Sequence, residues 1–97
     1  MKVKIPKNFK VGAHKINVSI NNKLMFEKQI YGDSPLSTNE IRLRTKSLAK
    51  SQVLQTYYHE KIHHILHCMN HELETNEAFV DSFANLLLQT DLTSKNK

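Results

Sequence analysis

The chain has 97 residues, 39% apolar and 24% charged, with a formal net charge of +5. That length fits one small domain, and that balance excludes an intrinsically disordered chain. A single cysteine, Cys68, excludes an internal disulfide and a zinc site built from cysteine alone, and no apolar run approaches the ~18 residues of a membrane span. The opening residues Met1-Lys2-Val3-Lys4-Ile5-Pro6-Lys7 are basic and lack the ~7–15-residue apolar stretch of a signal peptide, so a cytoplasmic location is expected.

Strands are expected over about 3–45. Ile16, Val18 and Ile20 alternate with Asn17 and Ser19, the period of a half-buried strand. Asn21-Asn22 reads as a tight turn into a second strand carrying Leu24 and Phe26. A third begins near Gln29-Ile30-Tyr31, and the turn residues of 33–39 lead to Ile41 and Leu43 alternating with Arg42 and Arg44. This last strand is expected to pair with 29–33 as a hairpin whose basic side, Arg42, Arg44 and Lys46, faces water.

From Ser47 to Asn70 there is no Gly or Pro, and Leu54, Tyr58, Ile62, Ile65, Leu66 and Met69 recur at three-four spacing. That predicts a helix over about 48–70, with Ser47 or Ser51 as N-cap. A second helix is expected over about 75–90 on Ala78, Val80, Phe83, Ala84, Leu87 and Leu88, followed by a frayed polar tail, Thr93–Lys97. The fold class is therefore α+β: a small antiparallel sheet of about three strands packed on two helices, as one domain over 1–97.

Charge and histidine are both unevenly spread. Residues 1–58 carry eleven Lys/Arg against three acids, whereas 59–97 carry three Lys against six acids. The basic residues of the first part are dispersed and not interleaved with aromatics, which favours a solvated surface over a nucleic-acid site. Of six histidines, five fall between His59 and His71.

Within that cluster, His59-Glu60-Lys61-Ile62-His63 reads HExxH. Helical residues at i and i+4 share a face, so His59 and His63 can converge on one Zn²⁺, while Glu60 sits beside that face as a general base. The extended pattern HExxHxxGxxH is excluded, because Leu66 and Met69 stand where it needs Gly and His. On the next helix Glu77 and Asp81 also share a face. Glu77 could complete a His₂Glu ligand set with an open fourth position, and Asp81 could accept the Nδ1–H of a zinc histidine. His67, one turn beyond His63, is an auxiliary candidate; with His64 and His71 it reads more simply as a solvent-facing or helix-terminal histidine. Cys68 reads as a small buried hydrophobe, and Tyr57 and Tyr58 as packing residues.

HExxH followed by ExxxD on the next helix resembles the gluzincin metallopeptidases. The order of short strands, active-site helix and glutamate helix is similar to the single-domain minigluzincins and to small HExxH proteins of phages and Gram-positive bacteria. The resemblance covers about residues 29–90 and implies His59, His63 and Glu77 as zinc ligands, Glu60 as base and Asp81 as the support for His59. It also implies an extended peptide or protein substrate bound along an edge strand, a role that would fall to the strand at 40–45. Larger gluzincins add a Tyr or His beyond the glutamate helix to stabilise the oxyanion. Here the last Tyr is Tyr58 and the last His is His71, so slow or latent hydrolysis is expected.

Two functions of different class follow. One is a zinc metallopeptidase-like hydrolase; the other is a non-catalytic accessory or regulatory module in which zinc holds strands to helices. Nucleic-acid binding through the basic half is a weaker third.

Overall fold

The computed structural model of the chain describes residues 3–95. A hairpin comes first. Strands β1 (Asn8–Val11) and β2 (His14–Ile20) run antiparallel, with Val11 opposite His14 and only Gly12-Ala13 between them. A two-residue hairpin loop needs a positive φ at its first position, and Gly12 supplies it at 59°. A Cβ on Gly12 would also stand 3.0 Å from the Cys68 Sγ, so nothing larger is accommodated there without displacement.

The chain then forms a helix, α1 (Asn22–Lys28), where the alternation of Leu24 and Phe26 predicts a strand. Asn21 is not a turn residue but the N-cap: its Oδ1 accepts the Leu24 N–H at 3.1 Å. Lys23, Leu24, Met25, Glu27 and Lys28 are all good helix formers. Seven residues are too few to hold a helix alone, and the fully buried Met25 supplies the anchor. Asn22 Oδ1 accepts the N–H groups of Thr45 and Lys46 at 2.8 and 2.9 Å, tying α1 to the far end of the sheet.

Strand β3 (Gly32–Asp33) and strand β4 (Glu40–Leu43) form the expected antiparallel hairpin, joined through a 3₁₀ turn at Leu36–Thr38. The fold class is α+β as expected, but the sheet differs from a three-stranded antiparallel one. It has four strands among the described residues, in the order β1-β2-β4-β3, and β2 runs parallel to β4. The crossover through α1 permits that parallel pairing, which a tight turn at Asn21-Asn22 would have forbidden. The topology also overturns the expectation that the 40–45 strand is an edge: β4 lies inside the sheet, flanked by β2 and β3.

The basic side of that hairpin is less solvated than expected. Arg42 places Nε and Nη2 on the two Asp33 oxygens at 2.8 and 2.5 Å, and Lys28 Nζ joins them at 2.7 Å. Arg44 lies over the Phe26 ring, 3.8 Å from its centroid.

Helix α2 (Lys50–Cys68) begins at Ala49 rather than at a serine. Ser47 is held at φ 64°, outside any helix, and Ser51 already lies within it. Gln52 reaches back to accept the Ala49 N–H at 2.9 Å, which satisfies a donor at the helix start without a capping hydroxyl. At the other end Asn70, at φ 52°, closes the helix. Its N–H bonds the His67 carbonyl and the His71 N–H bonds that of Leu66, both at 2.9 Å, the two bonds of a Schellman motif. A 3₁₀ turn (Glu72–Thr75) follows, and Asn76 caps α3 (Glu77–Thr93) by accepting the Phe79 N–H at 3.0 Å. Of the expected frayed tail, Thr93 ends α3, and positions 96 and 97 lie outside the described residues.

The core joins one face of the sheet to the two long helices. Ile16, Ile41 and Leu43 meet Val53, Leu54, Tyr57, Tyr58, Ile62 and Leu66 of α2 and Val80, Ala84 and Leu88 of α3. The last three stand four residues apart, one stripe down α3. Tyr58 donates its hydroxyl to Asp91, so its buried ring has a satisfied polar end. No described helix is long and apolar enough to cross a membrane.

Candidate metal centre

The Schellman turn after α2 reverses the chain so that the start of α3 returns beside the middle of α2. There His59, His63 and Glu77 meet. His59 Nε2 lies 3.2 Å from His63 Nε2, and Glu77 Oε1 lies 3.2 and 2.8 Å from those two nitrogens. The outer nitrogens face carboxylates: His59 Nδ1 is 3.4 Å from Asp81 Oδ1, and His63 Nδ1 is 3.4 Å from Glu74 Oε2.

This arrangement has a direct electrostatic consequence. A histidine that donates Nδ1–H to a carboxylate keeps its proton there and leaves Nε2 as a bare lone pair. The 3.4 Å approaches of Asp81 and Glu74 favour that tautomer as ion-pair contacts, and with both rings in it two lone pairs and a carboxylate oxygen would converge with no hydrogen between them, an arrangement that a cation stabilises. A tetrahedral ion with ligand bonds of about 2.05 Å has ligand–ligand edges of about 3.3 Å, close to the separations found here. The donor set therefore fits a divalent metal.

Glu60 lies on the inner side. It is buried, offers an oxygen within 4.8 Å of the histidine donors, and could hold a metal ion together with His59 and His63. Its Oε1, however, is already engaged by the Ser34 hydroxyl at 2.7 Å. Glu77 stands closer to both imidazoles and is the better third ligand on distance. Burial pushes the Glu60 carboxyl up, against the Ser34 hydrogen bond and the neighbouring histidines, which pull it down. Glu77 behaves oppositely: slight burial raises it, but the bonds and charges of His63 and His59 prevail and hold it below the ordinary carboxylate range. The two carboxylates at this centre are thus shifted in opposite directions, Glu60 up and Glu77 down.

The structure does not bring His67 to this centre. Four residues advance a helix by ~400°, so His67 stands ~80° around from His59. It lies exposed beside His14, His64 and Cys68 at a separate cavity of about 280 Å³. His64 is buried and donates Nε2–H to the Glu40 carbonyl at 2.8 Å, fastening α2 to β4, and burial lowers its pKa. His71 Nδ1 accepts the Leu73 N–H at 3.1 Å and so starts the 3₁₀ turn. Cys68, expected to be buried, is exposed at the end of α2.

Two residues at the centre are missed by sequence reading. Ser34 looks like turn chemistry between Asp33 and Pro35, and nothing local links it to Glu60. Glu74 precedes the α3 pattern; its spacing of three from Glu77, one turn of a tight helix, was the available signal. Comparison of the chain with protein-family models, curated proteins and solved structures finds no match.

Proposed function

We propose that this chain is a zinc-dependent, metallopeptidase-like hydrolase acting on peptide bonds. One observation carries the reading: three acceptor atoms from His59, His63 and Glu77 stand 2.8–3.2 Å apart beside a buried carboxylate that is not needed as a ligand. His59, His63 and Glu77 would hold the ion, leaving a fourth position open to solvent. Zinc there supplies a water of lowered pKa and a Lewis acid for a carbonyl.

The chain's own groups do the rest. Glu60, its carboxyl raised by burial, accepts a proton from water and returns it to the leaving nitrogen. Ser34 holds one Glu60 oxygen at 2.7 Å, which leaves the other for the proton. Asp81 and Glu74, each 3.4 Å from an Nδ1, favour imidazoles with Nε2 inward. An extended substrate fits beside β3 rather than β4. Arg44 N–H bonds the Tyr31 carbonyl at 2.8 Å, so in this antiparallel register the Gly32 N–H and C=O point away from β4 and are open to a further strand.

Zinc content of untagged protein, by ICP-MS, tests the centre: about one zinc per chain in the wild type, and less in Glu77→Gln. Glu60→Gln then tests catalysis. It is expected to keep the metal and lose peptide cleavage by about 10²–10⁴-fold. The second reading, a non-catalytic zinc module, is favoured by the way the three ligand candidates tie the middle of α2 to the first turn of α3. It expects no cleavage by any form and the same loss of stability on chelation.

A further inference from the structure

Beside the candidate metal centre the described residues line an open groove of about 730 Å³. It runs from His59 and Glu60 back along α2 to Ser51, with α3 on one side and the chain leading into β3 on the other. Nine helical residues separate its two ends along α2, about 13 Å. Apart from His59, Glu60 and Asp81 at the metal end, none of its lining residues carries charge. Its far part combines the apolar side chains of Ile30, Leu88 and Leu92 with side-chain amides.

One of those amides is anomalous. Gln55 Oε1 is buried and, among the described residues, has no hydrogen-bond partner. An orphaned acceptor of this kind is uncommon in a folded protein and destabilising while it stays unpaired. The last torsion of a glutamine is soft, so the Gln55 amide can turn toward the groove. A donor inside the groove would then satisfy it.

We infer that this groove is the specificity subsite of the hydrolase proposed above, and that it takes a large uncharged substrate side chain carrying an O–H or N–H donor, received by Gln55. The inference rests on that reading for the word substrate. The uncharged wall disfavours Lys, Arg, Asp and Glu, because a charge entering it loses water and gains no counter-ion. The orphaned oxygen disfavours purely apolar side chains of the same size, because they would seal it away unpaired.

The test is binding of three N-acetyl-Ala-X-Ala amides, X being Tyr, Phe or Lys, titrated into ¹⁵N-labelled Glu60→Gln protein with zinc content measured on the same sample. The tyrosine peptide is expected to bind about tenfold tighter than the phenylalanine peptide, and the lysine peptide weakest. Shifts are expected at the Gln55 side-chain amide and at Leu88 and Leu92. Gln55→Leu is expected to bring tyrosine down to the phenylalanine level with zinc content unchanged. Leu92→Trp, which fills the far end from an exposed position, is expected to weaken all three. Equal binding of tyrosine and phenylalanine, preference for lysine, or a ratio unmoved by Gln55→Leu overturns the inference. The two proposals fail separately. Zinc binding and cleavage without this preference remove only the subsite, while the preference without zinc removes only the hydrolase.

Discussion

At the residue scale, the centre depends on groups that touch no metal candidate's inner side. Glu74 and Asp81 each lie 3.4 Å from an imidazole Nδ1, but they differ in exposure: the Glu74 side chain is 20% exposed and that of Asp81 68%. The drier partner exerts the stronger orienting field. Glu74→Gln is therefore expected to weaken zinc binding by about 10–100-fold, and Asp81→Asn by less, measured by competition with a chelating dye. Asp33 sets an acid limit on a different part of the molecule. Burial raises its carboxyl, but hydrogen bonds and charges from Arg42 and Lys28 outweigh burial and hold it below the ordinary value. A group depressed in the folded state contributes stability above its unfolded pKa of ~3.9, and that contribution is lost as pH falls through the folded value. Urea midpoints should therefore separate wild type from Asp33→Asn at pH 6 and converge toward pH 2.

At the element scale, two turns decide where the site residues stand. Asn70 in the left-handed region allows the chain to leave α2 and return at Glu77 after only eight residues beyond Cys68. An L residue without a short polar side chain costs about 1–2 kcal/mol there. Asn70→Ala is expected to destabilise the fold by about 1 kcal/mol in denaturant titration and to weaken zinc binding, while Asn70→Gly retains both. The second turn is the approach of β3 to α2. A Cβ on Gly32 would stand 2.6 Å from Thr56 Cγ2 and 2.9 Å from the Arg42 carbonyl, so the strand carrying Ser34 toward Glu60 can sit this close only as glycine. Sequence reading finds the hairpin of 29–44 and both long helices, because their periodicity is sustained and local. It misplaces α1, because a short segment with two apolar residues at alternate positions carries no period long enough to separate strand from helix.

At the scale of the whole molecule, the sheet and α2 form a layer to which α3 is joined through a small apolar stripe, Val80, Ala84 and Leu88. The candidate metal centre joins the middle of α2 to the first turn of α3. A chain of 97 residues has a modest core, so a ligand bound only by the folded state should matter to its stability. At free zinc 100 times the dissociation constant, the gain is about 2.7 kcal/mol. For a domain of this size that predicts a melting temperature higher by about 10–20 °C with zinc than after chelation, measured by circular dichroism.

What the amino-acid sequence determines here is whatever repeats within a few residues. HExxH on one helical face, ExxxD on the next, the alternation of Ile41 and Leu43 and the helix content all follow from 3.6- and 2-residue periods. Tertiary structure decides everything that joins distant residues. It places Ser34 on Glu60, 26 positions away, and Glu40 on His64, 24 away; it puts β4 inside the sheet and leaves β1 and β3 as its edges. It also leaves His67 off the centre although its spacing from His63 repeats that of His59 and His63. The physical reason is common to all of these. Local periods specify which face of an element is apolar, whereas the neighbour that covers that face is chosen by the burial of the whole chain at once.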